Sequence, residues 1–105
     1  MDLAETIYQV VNNFPKEEKF GLSSQLKRCA VSVPSNISEG AGRGSNKQFK
    51  QFIEISMGSC NEVQTQLELA FRFSYIKKEV LDKLINETTQ VYKMMLAFYN
   101  TLKAD

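Results

Sequence analysis

Ser32-Val33-Pro34-Ser35-Asn36-Ile37-Ser38-Glu39-Gly40 sets a proline and a file of polar side chains inside a helical pattern. The fold turns on how that stretch is read. Proline lacks a backbone donor and its ring presses on the carbonyl four residues back, here Ala30, at a cost of roughly 3 kcal/mol. The apolar positions keep helical spacing through it all the same: Leu22, Leu26, Cys29, Val33 and Ile37 form one stripe. A long second helix that bends or restarts near Val33 satisfies both observations. Beside the stripe, at 100° per residue, Gln25, Arg28, Ser32, Asn36, Glu39 and Arg43 fall in one narrow sector. Donors and acceptors alternate along this polar seam, so its members can satisfy one another and the carbonyl that Pro34 leaves without a partner.

Outward from this stretch the pattern stays helical. Upstream, Leu3, Ile7, Val10, Val11 and Phe14 recur at helical spacing, and Asp2 with Glu5 reads as a capping box, which predicts a first helix over about 3–13. Phe14-Pro15 ends it, and Pro15 suits the first position of the next helix. Downstream, Gly40-Ala41-Gly42-Arg43-Gly44 stops the second helix, with glycine expected to supply a left-handed cap. Ser45 with Gln48 is a second capping box, opening a helix along Phe49, Phe52, Ile53, Ser56, Cys60, Val63, Leu67 and Ala70 to about 73. After a turn at Tyr75-Ile76, Val80, Leu84, Thr88, Val91, Met95, Tyr99 and Leu102 repeat in near-heptad fashion.

No alternating β-branched run, internal repeat or low-complexity tract appears, so residues 1–105 read as one all-α domain. Short connections favour an antiparallel up-down-up-down four-helix bundle with a proline-kinked second helix. The third helix carries a second file, Ile55, Leu69 and Phe73 interleaved with Ser59, Glu62 and Gln66. This is either a subunit interface or the wide face of a helix central to a monomer. The polar members of that file face the seam of the second helix, and Arg28 is expected to pair with Glu62 across the boundary. A network of this kind contributes register and specificity more than net stability.

The 105 residues carry a net charge of +1, with 43% hydrophobic and 24% charged residues, a globular balance without a global field toward nucleic acid or membrane. The charge is uneven: residues 16–50 hold seven Lys/Arg against three Glu. The N-terminus shows neither a basic leader region nor a long apolar run, so no signal peptide, no membrane partner and a cytoplasmic location are expected. Cys29 and Cys60 lack CxxC spacing and histidine is absent, which excludes the usual zinc sites and predicts two buried free thiols. There is no nucleophile elbow and no Glu-x-x-His metal motif, and the glycine run lacks the Lys-Ser/Thr of a phosphate loop. The sequence therefore reads as a non-enzyme without cofactor.

Arg43, Lys47 and Lys50 surround the glycine loop and the start of the third helix, while Lys16, Lys19 and Lys27 precede them in the same basic third. Six cations without interleaved aromatics suit phosphate-backbone contact with RNA or DNA, at low sequence specificity. Two alternatives stay open: a protein-interaction scaffold built from the same oligomer, and a small-ligand site in the polar seam formed by Gln25, Arg28, Ser32, Asn36, Glu39, Glu62 and Gln66.

Phe14-Pro15-Lys16-Glu17-Glu18, Gln25-Leu26, the Pro34-x-Asn36-Ile37-x-Glu39-Gly40 core, Gly42-Arg43-Gly44, and Gly58-Ser59 with Glu62 together resemble the signature of bacterial 23S rRNA intervening-sequence proteins. The resemblance spans nearly the whole chain. It implies a four-helix bundle, often a barrel-shaped homopentamer, in bacterial cytoplasm. The family includes proteins encoded in insertions within large-subunit rRNA genes. It is similar to the accessory protein of diversity-generating retroelements, which binds nucleic acid and a reverse transcriptase. Asn36, Glu39 and Gly40 are signature positions to which the resemblance assigns no chemistry, and Ser38 stands where alanine is common.

Overall fold

The computed structural model describes residues 2–103, with Asp2 as backbone alone. Four α-helices follow one another, α1 (Asp2–Val11), α2 (Leu22–Ala41), α3 (Asn46–Arg72) and α4 (Lys78–Thr101), with one 3₁₀ turn at Lys16–Glu18 and no strand among the described residues. The all-α reading holds. The capping box at Asp2 and Glu5 lies outside the described residues.

Each boundary has a local cause. The last turn of α1 tightens, Asn13 N–H donating to Val10 and Phe14 N–H to Val11, so the helix closes two residues earlier than its periodicity implies. Pro15 is extended (φ −57°, ψ 145°) and stands before the 3₁₀ turn instead of opening α2. The α2 helix begins only at Leu22, whose N–H donates to Glu18 Oε1 at 3.2 Å. A β-carbon on Gly21 would lie 2.7 Å from that oxygen, so the glycine makes room for the carboxylate. Through Pro34, α2 continues without restarting.

At its far end the left-handed glycine cap expected there does not form. Gly42 is right-handed (φ −83°), and among the described residues no glycine has positive φ. The helix finishes instead on short bonds from Gly42 N to Glu39 O and Arg43 N to Gly40 O. Ser45 Oγ accepts the Gln48 N–H at 3.2 Å and starts α3. The left-handed cap belongs to α3: Ser74 (φ 65°) lies between the bonds Ser74 N to Phe71 O and Tyr75 N to Ala70 O, a Schellman ending.

Cross-helix contacts run in opposite order along the partners. Ser32 meets Ser59 while Gly40 faces Phe49 and Phe52, and Lys50 reaches Leu102 while Gln64 reaches Thr89. The α2–α3 and α3–α4 pairs are therefore antiparallel, in keeping with an up-down-up-down bundle. One apolar cluster lies where all four helices meet, with Leu3, Ile7 and Val11 of α1 against Leu26, Ala30, Val63, Leu67 and Leu84. A second, around Val33, Ile53, Cys60 and Met95, has no member from α1 among the described residues. With 10 residues against the 20 of α2, α1 covers only one end of the bundle.

Candidate nucleic-acid interface

The polar seam is shorter and wetter than its spacing implies. Asn36 Nδ2 donates to Ser32 O at 2.8 Å and to Ser32 Oγ at 2.9 Å, and Ser32 Oγ shares a 2.8 Å bond with Ser59 Oγ, which also donates to Ile55 O. Beside Pro34 the side-chain bond is from Ser56 Oγ to the carbonyl of the preceding residue, Val33, at 2.9 Å, not to Ala30 one turn below. Arg28 and Glu62 do not pair: among the described residues the ion pairs are Arg43–Glu39 and Lys78–Asp82, both at 2.7 Å. Both side chains are exposed and instead border an open groove of about 170 Å³ with Gln25, Ser32 and Ser59. Gln66 Oε1 is buried without a hydrogen-bond partner.

The basic third divides in two. At the glycine loop Arg43 is held by Glu39 and lies 4.9 Å over the Phe52 ring, while Lys50 Nζ sits 4.5 Å over Tyr99 and 3.4 Å from Leu102 O. Lys47, beside them at the start of α3, is exposed. The other cluster lies at the opposite end of α2. From Lys27 to Arg43 the helix rises about 24 Å, so one compact patch of six cations is ruled out. Contiguity along the chain became separation along a helix axis.

Lys16, Lys19 and Lys27 do converge. They border one open hollow of about 350 Å³ between the end of α1, the 3₁₀ turn and the first turns of α2, floored by Val11, Phe14 and Pro15. Among the described residues its lining contains no carboxylate. Of the two acids between Lys16 and Lys19, Glu17 is exposed and Glu18 is engaged elsewhere: Tyr75 Oη donates to Glu18 Oε2 at 2.7 Å, and Oε1 accepts from Leu22 N. Those two bonds, Tyr75 first, hold the Glu18 carboxyl below its usual range, and the same carboxylate pushes the Tyr75 phenol up.

The family model described as 23S rRNA-intervening sequence protein matches residues 1–97. The chain belongs to this family. A crystal structure of a protein with unknown function from the S23 ribosomal protein family of Bacteroides thetaiotaomicron VPI-5482 is similar to it. The identity is 27%, the TM-score 0.83, and the match covers 93% of this chain and 92% of the other. No curated protein sequence matches.

In this member of the 23S rRNA-intervening sequence family the three signature positions have packing tasks. Asn36 ties the α2 backbone to Ser32, Glu39 holds Arg43, and Gly40 lets α3 approach, since a β-carbon there would stand 2.7 Å from Phe52 Cβ and 2.9 Å from Phe49 Cδ1. Two aromatic residues that the sequence reading passed over stand beside Lys19 and Lys27. Phe20 is 88% exposed with Lys19 Nζ 5.5 Å from its ring centre, and exposed Tyr8 carries Lys27 Nζ at 5.1 Å. The lysine cluster is interleaved with aromatics after all. The available signal was that neither residue fits the apolar stripe of its own segment.

No helix among the described residues is long and apolar enough to cross a membrane, and no group of three potential metal ligands occurs among them. Cys29 and Cys60 are both buried free thiols. Burial pushes each up to about 11, with Glu62 adding to the effect at Cys29.

Proposed function

We propose that this chain is a non-enzymatic, self-associating four-helix bundle that binds the phosphate backbone of RNA or DNA. The observation that carries the reading is the carboxylate-free hollow where Lys16, Lys19 and Lys27 converge. Lysines brought together from two elements around a lining that holds no carboxylate attract phosphate, and each contact releases condensed cations on binding. Arg43, Lys47 and Lys50 add a second contact about 24 Å along the molecule, and repetition around an oligomer, a pentamer in the reading from resemblance, multiplies both.

Self-association rests on the second file of α3. Ile55, Leu69 and Phe73 are 51%, 39% and 54% exposed, a spaced apolar seam beside the polar groove. Gly58 lies on the same side of the helix with open space where a β-carbon would stand. Inside a 27-residue helix it costs about 1 kcal/mol relative to alanine without an intrachain contact that requires it.

Fluorescence anisotropy of a labelled RNA hairpin and a matched DNA duplex, at low and high salt, tests the binding. Affinity should fall steeply as salt rises. Lys→Glu at Lys16 or Lys19 should weaken both ligands and lower the salt slope by about one for each phosphate the variant no longer neutralises. Lys93→Glu on α4 makes the same charge change away from the hollow and should alter binding far less. A flat salt response, or equal losses in all variants, contradicts the reading.

A further inference from the structure

A hollow of about 350 Å³ has the dimensions of a seat for one small-molecule-sized unit, whereas the backbone of a duplex presents a convex ridge that touches a surface without filling a recess. Aromatic rings stand beside two of its three lysines. Lys19 and Lys27 both border it, and each carries an exposed aromatic ring beside its ammonium, Phe20 at 5.5 Å and Tyr8 at 5.1 Å. Phe20 is the more telling of the two. A phenylalanine 88% exposed on the connection before α2 contributes almost nothing to the core, so its apolar face is available for another molecule.

Lysines alone would hold any polyanion. Lysines alternating with unburied aromatic rings match a polymer that alternates phosphates with planar, unpaired bases. In a duplex the base faces are occupied by stacking on their neighbours and are closed to a side chain. In a single strand they are open.

We propose that Lys16, Lys19 and Lys27, with Phe20 and Tyr8, form a single-strand-selective nucleic-acid site: the hollow seats one phosphate among the three ammonium groups, and the adjoining bases stack on the Phe20 and Tyr8 rings. The inference rests on the backbone-binding reading above and adds to it the form of the ligand, an unpaired polynucleotide. Because stacking is tolerant of base identity, the site discriminates strandedness and not sequence.

The test uses the full chain with labelled oligouridylate, oligothymidylate and a blunt duplex, each of about 16 nucleotides or base pairs, the upper site size of one small binding module. Phe20→Ala is the decisive variant, since removal of so exposed a ring leaves the core intact, and a far-ultraviolet circular dichroism spectrum verifies this. The single strands should bind more tightly than the duplex. Phe20→Ala should weaken the single strands by about tenfold and leave the duplex within about twofold, whereas Lys19→Glu should weaken all three. If Phe20→Ala leaves single-strand binding unchanged while Lys19→Glu still weakens every ligand, backbone binding stands and the single-strand site is overturned. If no ligand binds at low salt, both readings fall.

Discussion

Gly40 of α2 lies so close to α3 that a β-carbon at that position would stand 2.7 Å from Phe52 Cβ. Real β-carbons do not approach so near. Substitution at Gly40 must therefore push the two longest-paired helices apart or turn Phe52 and Phe49 out of place. Gly40→Ala gains helix propensity of up to about 1 kcal/mol and meets an overpacking cost of about 1–3 kcal/mol. Because the clash is with a β-carbon and not with a flexible chain end, the cost wins, and net destabilisation of about 1–2 kcal/mol is expected. Urea denaturation of the purified variant measures it, and a midpoint equal to or above the parent contradicts this account of the motif glycine.

At the other end of α3, Ser74 is held at φ 65°, a conformation that costs a residue with a β-carbon roughly 1–2 kcal/mol. Ser74→Gly removes that strain and keeps the Schellman bonds, while adding disorder to the unfolded chain. A net gain of about 1 kcal/mol is expected, read as a rise in melting temperature.

Glu18 and Tyr75 give the fold a pH dependence at both extremes. The Glu18 carboxyl is depressed in the folded protein by the Tyr75 hydroxyl and the Leu22 N–H, so its contribution is present above the ordinary carboxylate range and is lost as pH falls through the lowered value. The Tyr75 phenol is raised by the same bond; its contribution is present below the ordinary tyrosine range and is lost as pH rises through the elevated value. In Tyr75→Phe the Glu18 titration, followed by carboxyl carbon resonances, should move up toward ordinary glutamate. An unmoved titration would show that the bond is not formed in solution.

Cys29 and Cys60 are 4% and 1% exposed with thiols pushed up to about 11, so almost no thiolate exists at neutral pH. A disulfide reagent should modify them in the native protein only at the rate of opening, and at once in denaturant. Rapid labelling of the folded chain would mean that the α2–α3 seam opens readily.

Leu69→Glu places a charge on the second seam of α3, on a side chain 39% exposed in the isolated chain. If that seam joins copies, the substitution buries an unpaired carboxylate and should reduce the assembly to monomers, with the helical spectrum preserved. Light scattering measures the mass, and an unchanged mass rules out this seam as the interface.

The helices were legible because their determinants are local. The spacing of Leu22, Leu26, Cys29, Val33 and Ile37, the hydroxyl of Ser45 three residues before Gln48, and the stop at Phe14-Pro15 act within one or two turns of chain. The Arg28–Glu62 pair was misread for a complementary reason. Charge sign and helical sector bring both to one groove, but whether they touch depends on the separation of two helix surfaces, which Gly40 and Ser56 set farther along the seam and the Ser32–Ser59 bond sets within the groove.

The candidate site divides along the same line. Its ingredients, three lysines in a basic third, were visible in the sequence, as was their chemistry toward phosphate. A continuous α2 separates Lys27 from Arg43 along its axis, but only the tertiary structure gathered Lys16, Lys19 and Lys27 around one hollow. Only the tertiary structure turned Glu18 toward Tyr75 and set the Phe20 and Tyr8 rings beside Lys19 and Lys27. The sequence by itself determined the helices, the apolar stripes and the sign of the charge, since these are properties of neighbours along the chain. Which cations stand together, and what lies between them, follows from packing of segments far apart in that order.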